Sequence, residues 1–226
     1  MLRGKVAITQ QADPIDVRAL EWVKQNRRTF LTGSAAVIVA ALAVTGWWSN
    51  RQETERRAER ALQSARSSAE VGNLPLATSD LARLVSTYGS TRAAQEATLL
   101  LAQVRMVQNQ SALVVSDLRR FLQSGPREEF RGPANGLLGA ALEETGQFTD
   151  AAKAYQAAAD ATPYHGVKAQ YLLDAARTAQ AAGDTGTAAS LYERIAADYN
   201  GTAGAVEAEV RLGELRKSGL STTKKG

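Results

Sequence analysis

The chain has no cysteine, one histidine and five prolines among its 226 residues. The missing cysteine excludes disulfides, thiolate metal sites, a nucleophilic thiol and a lipid-modified N-terminal Cys, while leaving the redox compartment open. The lone histidine, His165, stands in a Pro163-Tyr164-His165-Gly166 junction. It has no second histidine and no carboxylate at helical spacing aimed at it, so it reads as a loop residue rather than a metal ligand or proton carrier. Gly132-Pro133-Ala134-Asn135-Gly136 lacks the spacing and the lysine of a phosphate loop. The pairs Glu128-Glu129 and Glu143-Glu144 are adjacent, and neighbouring residues on a helix point in different directions, so neither forms an acid/base couple. These absences argue for a non-enzymatic protein with no cofactor and no metal. Scarce proline and long Ala/Glu/Arg/Leu runs without alternating β-branched segments favour helices throughout, and the expected fold is all-α.

Aromatic residues make up 6% of the chain. They do not interleave with basic residues as a stacking platform, so nucleic acid is not an expected partner. The formal charge of +4 is unevenly placed. Residues 1–28 carry six basic and three acidic side chains and the last eleven residues carry four basic ones, which leaves the segment between them at net −3. Its charges alternate in sign at helical spacing, the pattern of a solvated, ion-paired surface.

What the chain does have begins with Thr29 to Asn50, a run without any ionisable residue. As a helix those 22 residues extend about 33 Å, close to the ~30 Å hydrocarbon thickness of a bilayer. Phe30, Leu31, Val37, Ile38, Val39, Leu42 and Val44 supply its apolar surface, Trp47 and Trp48 stand where indoles favour the headgroup region, and Arg27-Arg28 closes the other end. Residues 29–48 are therefore expected to be a transmembrane anchor. The basic residues before it (Arg3, Lys5, Arg18, Lys24, Arg27, Arg28) outnumber those just after it (Arg51, Arg56, Arg57, Arg60), which keeps the 1–28 leader cytoplasmic. A cleavable signal ending at Ala41-Leu42-Ala43 is the alternative, opposed by the long leader and the two tryptophans just past the cut. Trp22 suggests a short interfacial helix starting near Asp13-Pro14. Ala36 and Ala40 have the four-residue spacing of a helix-packing seam, which an alanine-rich run also produces by chance.

Beyond the run, a small-residue landmark returns every 37 positions: Gly72, Asn109, Gly146, Gly183. Five residues later come Ala77, Val114, Ala151 and Ala188; four after those, Leu81, Leu118, Tyr155 and Tyr192; and seven before each landmark, Ala65, Ala102, Gly139 and Ala176. A fixed period of this size means a solenoid of helical hairpins, an architecture whose residues go into packing on neighbours and whose surface holds partners. One unit reads as a helix from Ala134 to Thr145, a turn at Gly146-Gln147-Phe148, and a helix from Thr149 to Ala161 stopped by Pro163. A final helix, about Ala205 to Arg216, caps the array with a polar outer face, and residues 218–226 form a flexible basic tail.

In that unit Asn135, Leu138-Gly139, Leu142, Gly146, Ala151, Tyr155, Ala158 and Pro163 stand at the spacings of the tetratricopeptide repeat. Asn135 and Leu142 replace the usual Trp and Tyr, and the period exceeds the usual ~34 residues, with the extra length assigned to junctions such as Tyr164-His165-Gly166-Val167-Lys168. With its leader Ala19-Leu20-Glu21-Trp22-Val23-Lys24-Gln25-Asn26, its anchor ending in Gly46-Trp47-Trp48, and degenerate repeats after a charged exit helix, the chain resembles the single-pass ancillary subunits of the bacterial Sec translocon. The resemblance spans residues 15–217. It implies an inner-membrane protein with a periplasmic repeat domain over 49–217, placed beside the translocon and linked to periplasmic chaperones or exported polypeptides. A repeat adaptor of another envelope complex, anchored or secreted after cleavage, is the alternative.

The inner face of such an array is lined by first-helix positions, here Leu62, Arg66, Leu99, Gln103, Met106, Val107, Leu173 and Arg177. The Lys and Asn residues of carboxylate-clamping arrays are absent, and a mixed surface with Leu and Met suits amphipathic helices or extended apolar peptides. For Leu99 and Leu173 a place in the core between repeats is an equal alternative. On the topology, a reporter that works only outside the cytoplasm, fused after Gly226, is expected to be active. Activity of a cytoplasm-only reporter at the same point reverses the orientation.

Overall fold

The helix before each 37-residue landmark ends on a residue with left-handed backbone: Gly72 (φ 78°), Asn109 (φ 59°), Gly146 (φ 75°) and Gly183 (φ 84°). At each, two amides fold back onto the helix. Gly72 N–H donates to Ala69 O at 3.0 Å and Asn73 N–H to Ser68 O at 2.9 Å; the same pair recurs as Gly146 to Glu143 and Gln147 to Leu142, and as Gly183 to Gln180 and Asp184 to Ala179. This double closure satisfies carbonyls that a helix end leaves open and reverses the chain. Glycine takes the conformation without a Cβ clash, and asparagine is among the few other residues that tolerate it. The 37-residue landmark is thus a set of identical helix stops.

The computed structural model describes residues 27–223. Among them are nine α-helices and no strand: α1 (Arg27–Glu70), α2 (Leu74–Tyr88), α3 (Arg92–Val107), α4 (Ser111–Gln123), α5 (Glu128–Glu144), α6 (Phe148–Asp160), α7 (His165–Ala181), α8 (Thr185–Asp198) and α9 (Ala203–Thr223). Three starts are capped by side chains: Asn73 accepts from Leu76 N–H with Pro75 in the first turn, Thr91 accepts from Ala94 N–H, and Asp184 accepts from Thr187 N–H. Each hairpin packs on the next through α2 on α3, α4 on α5 and α6 on α7, and α9 closes the array against α7 and α8.

Packing divides the chain after Glu53 into two units, a few residues past the boundary expected at 48. In the first, Leu42, Val44, Trp47 and Trp48 are exposed, and the Arg51 guanidinium lies 4.0 Å from the Trp47 ring centroid, a cation–π contact. Among the described residues no helix is long and apolar enough to cross a membrane. The side chains of Phe30, Leu31, Ala36, Val37, Ile38, Val39 and Ala40 lie outside the described residues, as do the whole leader before Arg27, with Trp22 and Asp13-Pro14, and residues 224–226.

In the second unit the register read from the sequence places side chains as required. Ala77, Val114, Ala151 and Ala188 are fully buried, as are Leu81 and Leu118, with Tyr192 and Tyr155 nearly so. The small residue before each turn faces the large one after it: a Cβ on Gly139 would sit 2.8 Å from Cδ1 of Tyr155, so the first helix must be bare there for the second to seat its ring. Gly136 admits Tyr171 of the following hairpin in the same way, with a Cβ 2.6 Å from its Cε1.

Three boundaries differ from expectation. Helix α5 starts at Glu128, not Ala134, and runs through Pro133. Tertiary contacts hold its first turn: Phe130 is buried, Arg127 N–H donates to Gln95 Oε1 at 2.9 Å, and Glu128 and Glu129 complement the helix dipole. His165 is not in a loop but opens α7, its ring edge-on to Tyr199 at 5.9 Å, so the extra residues lengthen a helix rather than a junction. Helix α9 extends to Thr223, with no proline to stop it and with Leu212 and Leu215 packed on the larger core, so residues 218–223 continue the helix instead of beginning a tail.

Because Ala151 has no exposed surface, Ala151→Arg both overpacks the hairpin and buries a charge, and is expected to cost roughly 2–4 kcal/mol. Ala157→Arg, on the exposed side of the same helix, is expected to be nearly neutral. Urea melts of the two full-length variants check the difference, and equal midpoints would mean the register is misassigned.

Candidate protein-interaction site

The first helices of the hairpins, α1, α3, α5 and α7, carry the residues read from the sequence as a partner face. Leu62 and Leu173 are only 5% exposed and belong to the core, a correction to the expected groove for Leu62 and, for Leu173, the core alternative. Both fall on the stripe that packs into the array's apolar clusters, which removes their side chains from water. Leu99 and Met106 are half-buried against the larger core cluster. Gln103 is exposed, and Val107 stands 68% exposed. Arg66 and Arg177, three periods apart, are each engaged: Arg66 pairs with Glu96 of α3, and Arg177 pairs with Glu143 of α5 and lies 3.7 Å from Asp174.

These pairs belong to a series of links between successive hairpins. Glu55 Oε1 accepts from Ala93 N–H at 3.1 Å, supplying an acceptor to an open donor at the start of α3. Arg92 Nε donates to Glu129 Oε1 at 2.7 Å, and the Arg92 guanidinium also lies 5.7 Å from the Phe130 ring centroid. That hydrogen bond and the Glu129 charge raise the Arg92 pKa further above its ordinary value. Glu55, Glu59, Arg66, Arg92 and Glu96 line a small polar cavity of about 180 Å³ between α1 and α3. The charges that might have met a ligand are therefore largely committed to holding one repeat to the next. The sequence reading named Arg66 and Arg177 but not Arg92, and it did not pair any of them with a carboxylate. The signal was the separation of opposite charges by 30 to 37 residues, close to one period.

The Arg177 site is the most strongly coupled. Its Nη2 donates to Glu143 Oε2 at 2.8 Å, and the Tyr155 hydroxyl donates to the same oxygen at 3.3 Å. The Arg177 hydrogen bond holds the Glu143 carboxyl below its usual range despite partial burial. Burial first, then the Glu143 charge, pushes the Tyr155 hydroxyl up. Burial also raises Asp174, against the pull of Arg177. Nothing in this cluster approaches a nucleophile or an acid/base pair; it fixes the facing surfaces of α5 and α7. Among the described residues no group of three His, Asp or Glu side chains is placed to hold a metal ion.

A family profile described as a tetratricopeptide repeat-like domain matches residues 20–131, which runs from the leader through α4 and just into α5. No curated protein matches the chain. Among solved structures, a kinesin light chain with nearly identical TPR-like repeats from Podosopora anserina is 17% identical with a TM-score of 0.58, over 74% of this chain and 89% of that one. A MamA structure from Desulfovibrio magneticus RS-1, residue 41 to the end, is 19% identical with a TM-score of 0.50, over 66% of this chain and 77% of that one. At such identities the likeness is one of fold. The chain thus carries a tetratricopeptide-like repeat domain, a helical-hairpin solenoid of the class that typically serves as a non-enzymatic scaffold for protein contacts.

A depressed carboxylate contributes stability that is present above its unfolded pKa and lost as pH falls through its folded one. Glu143→Gln is therefore expected to lower stability at pH 7 by roughly 0.5–1 kcal/mol, the range for a partly exposed pair. That difference should shrink as pH drops below the ordinary Glu value of about 4.3 and disappear only below the depressed folded pKa. The raised Asp174 works in the opposite sense, and because the Glu143 charge is one of the causes that raise it, removing that charge also lets Asp174 titrate lower in the variant. Urea midpoints at pH 7 and pH 3 test this, and a gap of equal size at both would remove the ion pair as its cause.

Proposed function

We propose that this chain is a membrane-anchored scaffold of the bacterial inner membrane, a chaperone-network component beside the Sec translocon that assists exported proteins. The observation that carries the reading is one chain joining a run free of ionisable residues, Thr29 to Asn50, to a four-hairpin tetratricopeptide-like array. The family match begins at Leu20, ahead of the apolar run, which supports treating leader, run and first repeats as one inherited arrangement. Support for the translocon as partner comes from the resemblance of the leader and of the Gly46-Trp47-Trp48 anchor end to its ancillary subunits. On this reading the leader is cytoplasmic, the repeats are periplasmic, and soluble chaperones or exported polypeptides meet the repeat surface.

The division of labour is physical. A bilayer-embedded partner is reached through the anchor, by small-residue and apolar packing between helices, whereas soluble partners are reached through exposed repeat residues such as Gln103 and Val107. Crosslinking in intact cells, compared among the full-length protein, a version with residues 29–48 replaced by an unrelated anchor, and Val107→Glu, separates the two. The anchor swap is expected to lose translocon crosslinks and keep periplasmic ones. Val107→Glu, at a position exposed enough to spare the fold, is expected to do the reverse, with an affinity loss of about 1–2 kcal/mol. Recovery of a different envelope complex in place of translocon subunits would keep the adaptor and replace its partner.

A further inference from the structure

A cavity of about 800 Å³ opens between α2, α3 and α4, away from the residues read as the partner face. Stripes of helical spacing wall it, with Val85 and Ser86 on α2, Leu101 and Arg105 on α3, and Asp117, Arg120 and Phe121 on α4. Its volume falls within the ~300–1,000 Å³ of sites that take discrete ligands. The wall is apolar at Val85, Leu101 and Phe121 and charged at Arg105, Asp117 and Arg120, for a net charge of one positive unit.

Two of the three charges, Arg105 and Asp117, stand where the fold itself asks for core. One period on, Arg105, Asp117 and Phe121 correspond to Leu142, Ala154 and Ala158, and two periods on to Ala179, Leu191 and Ile195, all of them buried. The later junctions are closed by these side chains. The first is held open by an Arg105–Asp117 ion pair, and here the apolar interior splits into two clusters, with Leu101 and Val104 in one and Ala102 and Val114 in the other. The pair is incompletely satisfied. Arg105 Nε is enclosed and has no hydrogen-bond partner among the described residues, an expense that a protein of this kind rarely carries without use. Arg120 is 81% exposed and only 4.0 Å from Asp117, free to turn toward an incoming anion.

We propose that this cleft is a second binding site, which takes a short extended peptide segment of a partner protein with a carboxylate beside a large apolar side chain. The carboxylate meets Arg105 and Arg120, and the apolar side chain lies against Val85, Leu101 and Phe121. The inference rests on the adaptor reading only in taking a polypeptide as the occupant.

The test uses the full-length chain in mild detergent and a fluorescein-labelled, N-acetylated octapeptide of alternating leucine and glutamate, followed by fluorescence anisotropy. Replacing glutamate by glutamine in the probe, filling the cleft from its rim with Ser86→Trp, and reversing its charge with Arg120→Glu should each weaken binding at least tenfold. Val107→Glu should leave it within twofold. Ser86 and Arg120 are both exposed, and unchanged thermal melts by circular dichroism keep a folding defect from passing as a lost site. Saturable binding lost with Val107→Glu but kept with Ser86→Trp would overturn the cleft while sparing the adaptor reading. Absence of saturable binding by the glutamate probe would overturn the cleft outright.

Discussion

The left-handed residue that ends each first helix is the constraint on which the repeat domain depends. Once Gly72, Asn109, Gly146 and Gly183 fix where the chain reverses, the side chains that must face each other across a hairpin are decided by counting. Seven residues before the turn, one helix must be small; nine after it, the other must be large. The pairs Ala65 with Leu81, Ala102 with Leu118, Gly139 with Tyr155 and Ala176 with Tyr192 are four solutions to one geometric problem. Volume moves between partners while the register stays constant, as close-packed interiors require.

The array spends its charge on itself. Links between neighbouring hairpins, Glu55 to the α3 amide, Arg92 to Glu129, Arg66 to Glu96 and Arg177 to Glu143, are partly exposed. Each contributes modestly to stability, but together they set the angle at which one repeat meets the next. The consequence for binding is that the first-helix face presents Gln103, Val107 and the edge of Met106 rather than a charged clamp.

Around α3 the array departs most from its own pattern. Asn109 replaces the turn glycine, Val114 replaces the alanine, and an ion pair replaces the aliphatic residues that seal the later junctions. Repeat units gain stability from likeness to one another, so a unit that gives up apolar packing for Arg105 and Asp117 sacrifices stability locally. Breaches of this kind concentrate at functional positions.

Much of the repeat domain was legible before any coordinates, because a helical hairpin is a local object. Turn chemistry and the small-against-large pairing both lie within one 37-residue period of sequence, and each landed where expected. Helix ends without a glycine stop were misplaced. The starts of α5 at Glu128 and α7 at His165 depend on Phe130, Gln95 and Tyr199, residues brought near by the fold rather than by spacing. Of the partner face, residue types were readable but exposure was not: Leu62 and Val107 were both read as groove, and only the neighbouring helix decides that the first is core and the second is surface. The α2–α3–α4 cleft lay wholly beyond the sequence, because whether three amphipathic stripes meet or stand apart depends on how hairpins stack, and that is set by contacts between residues tens of positions away.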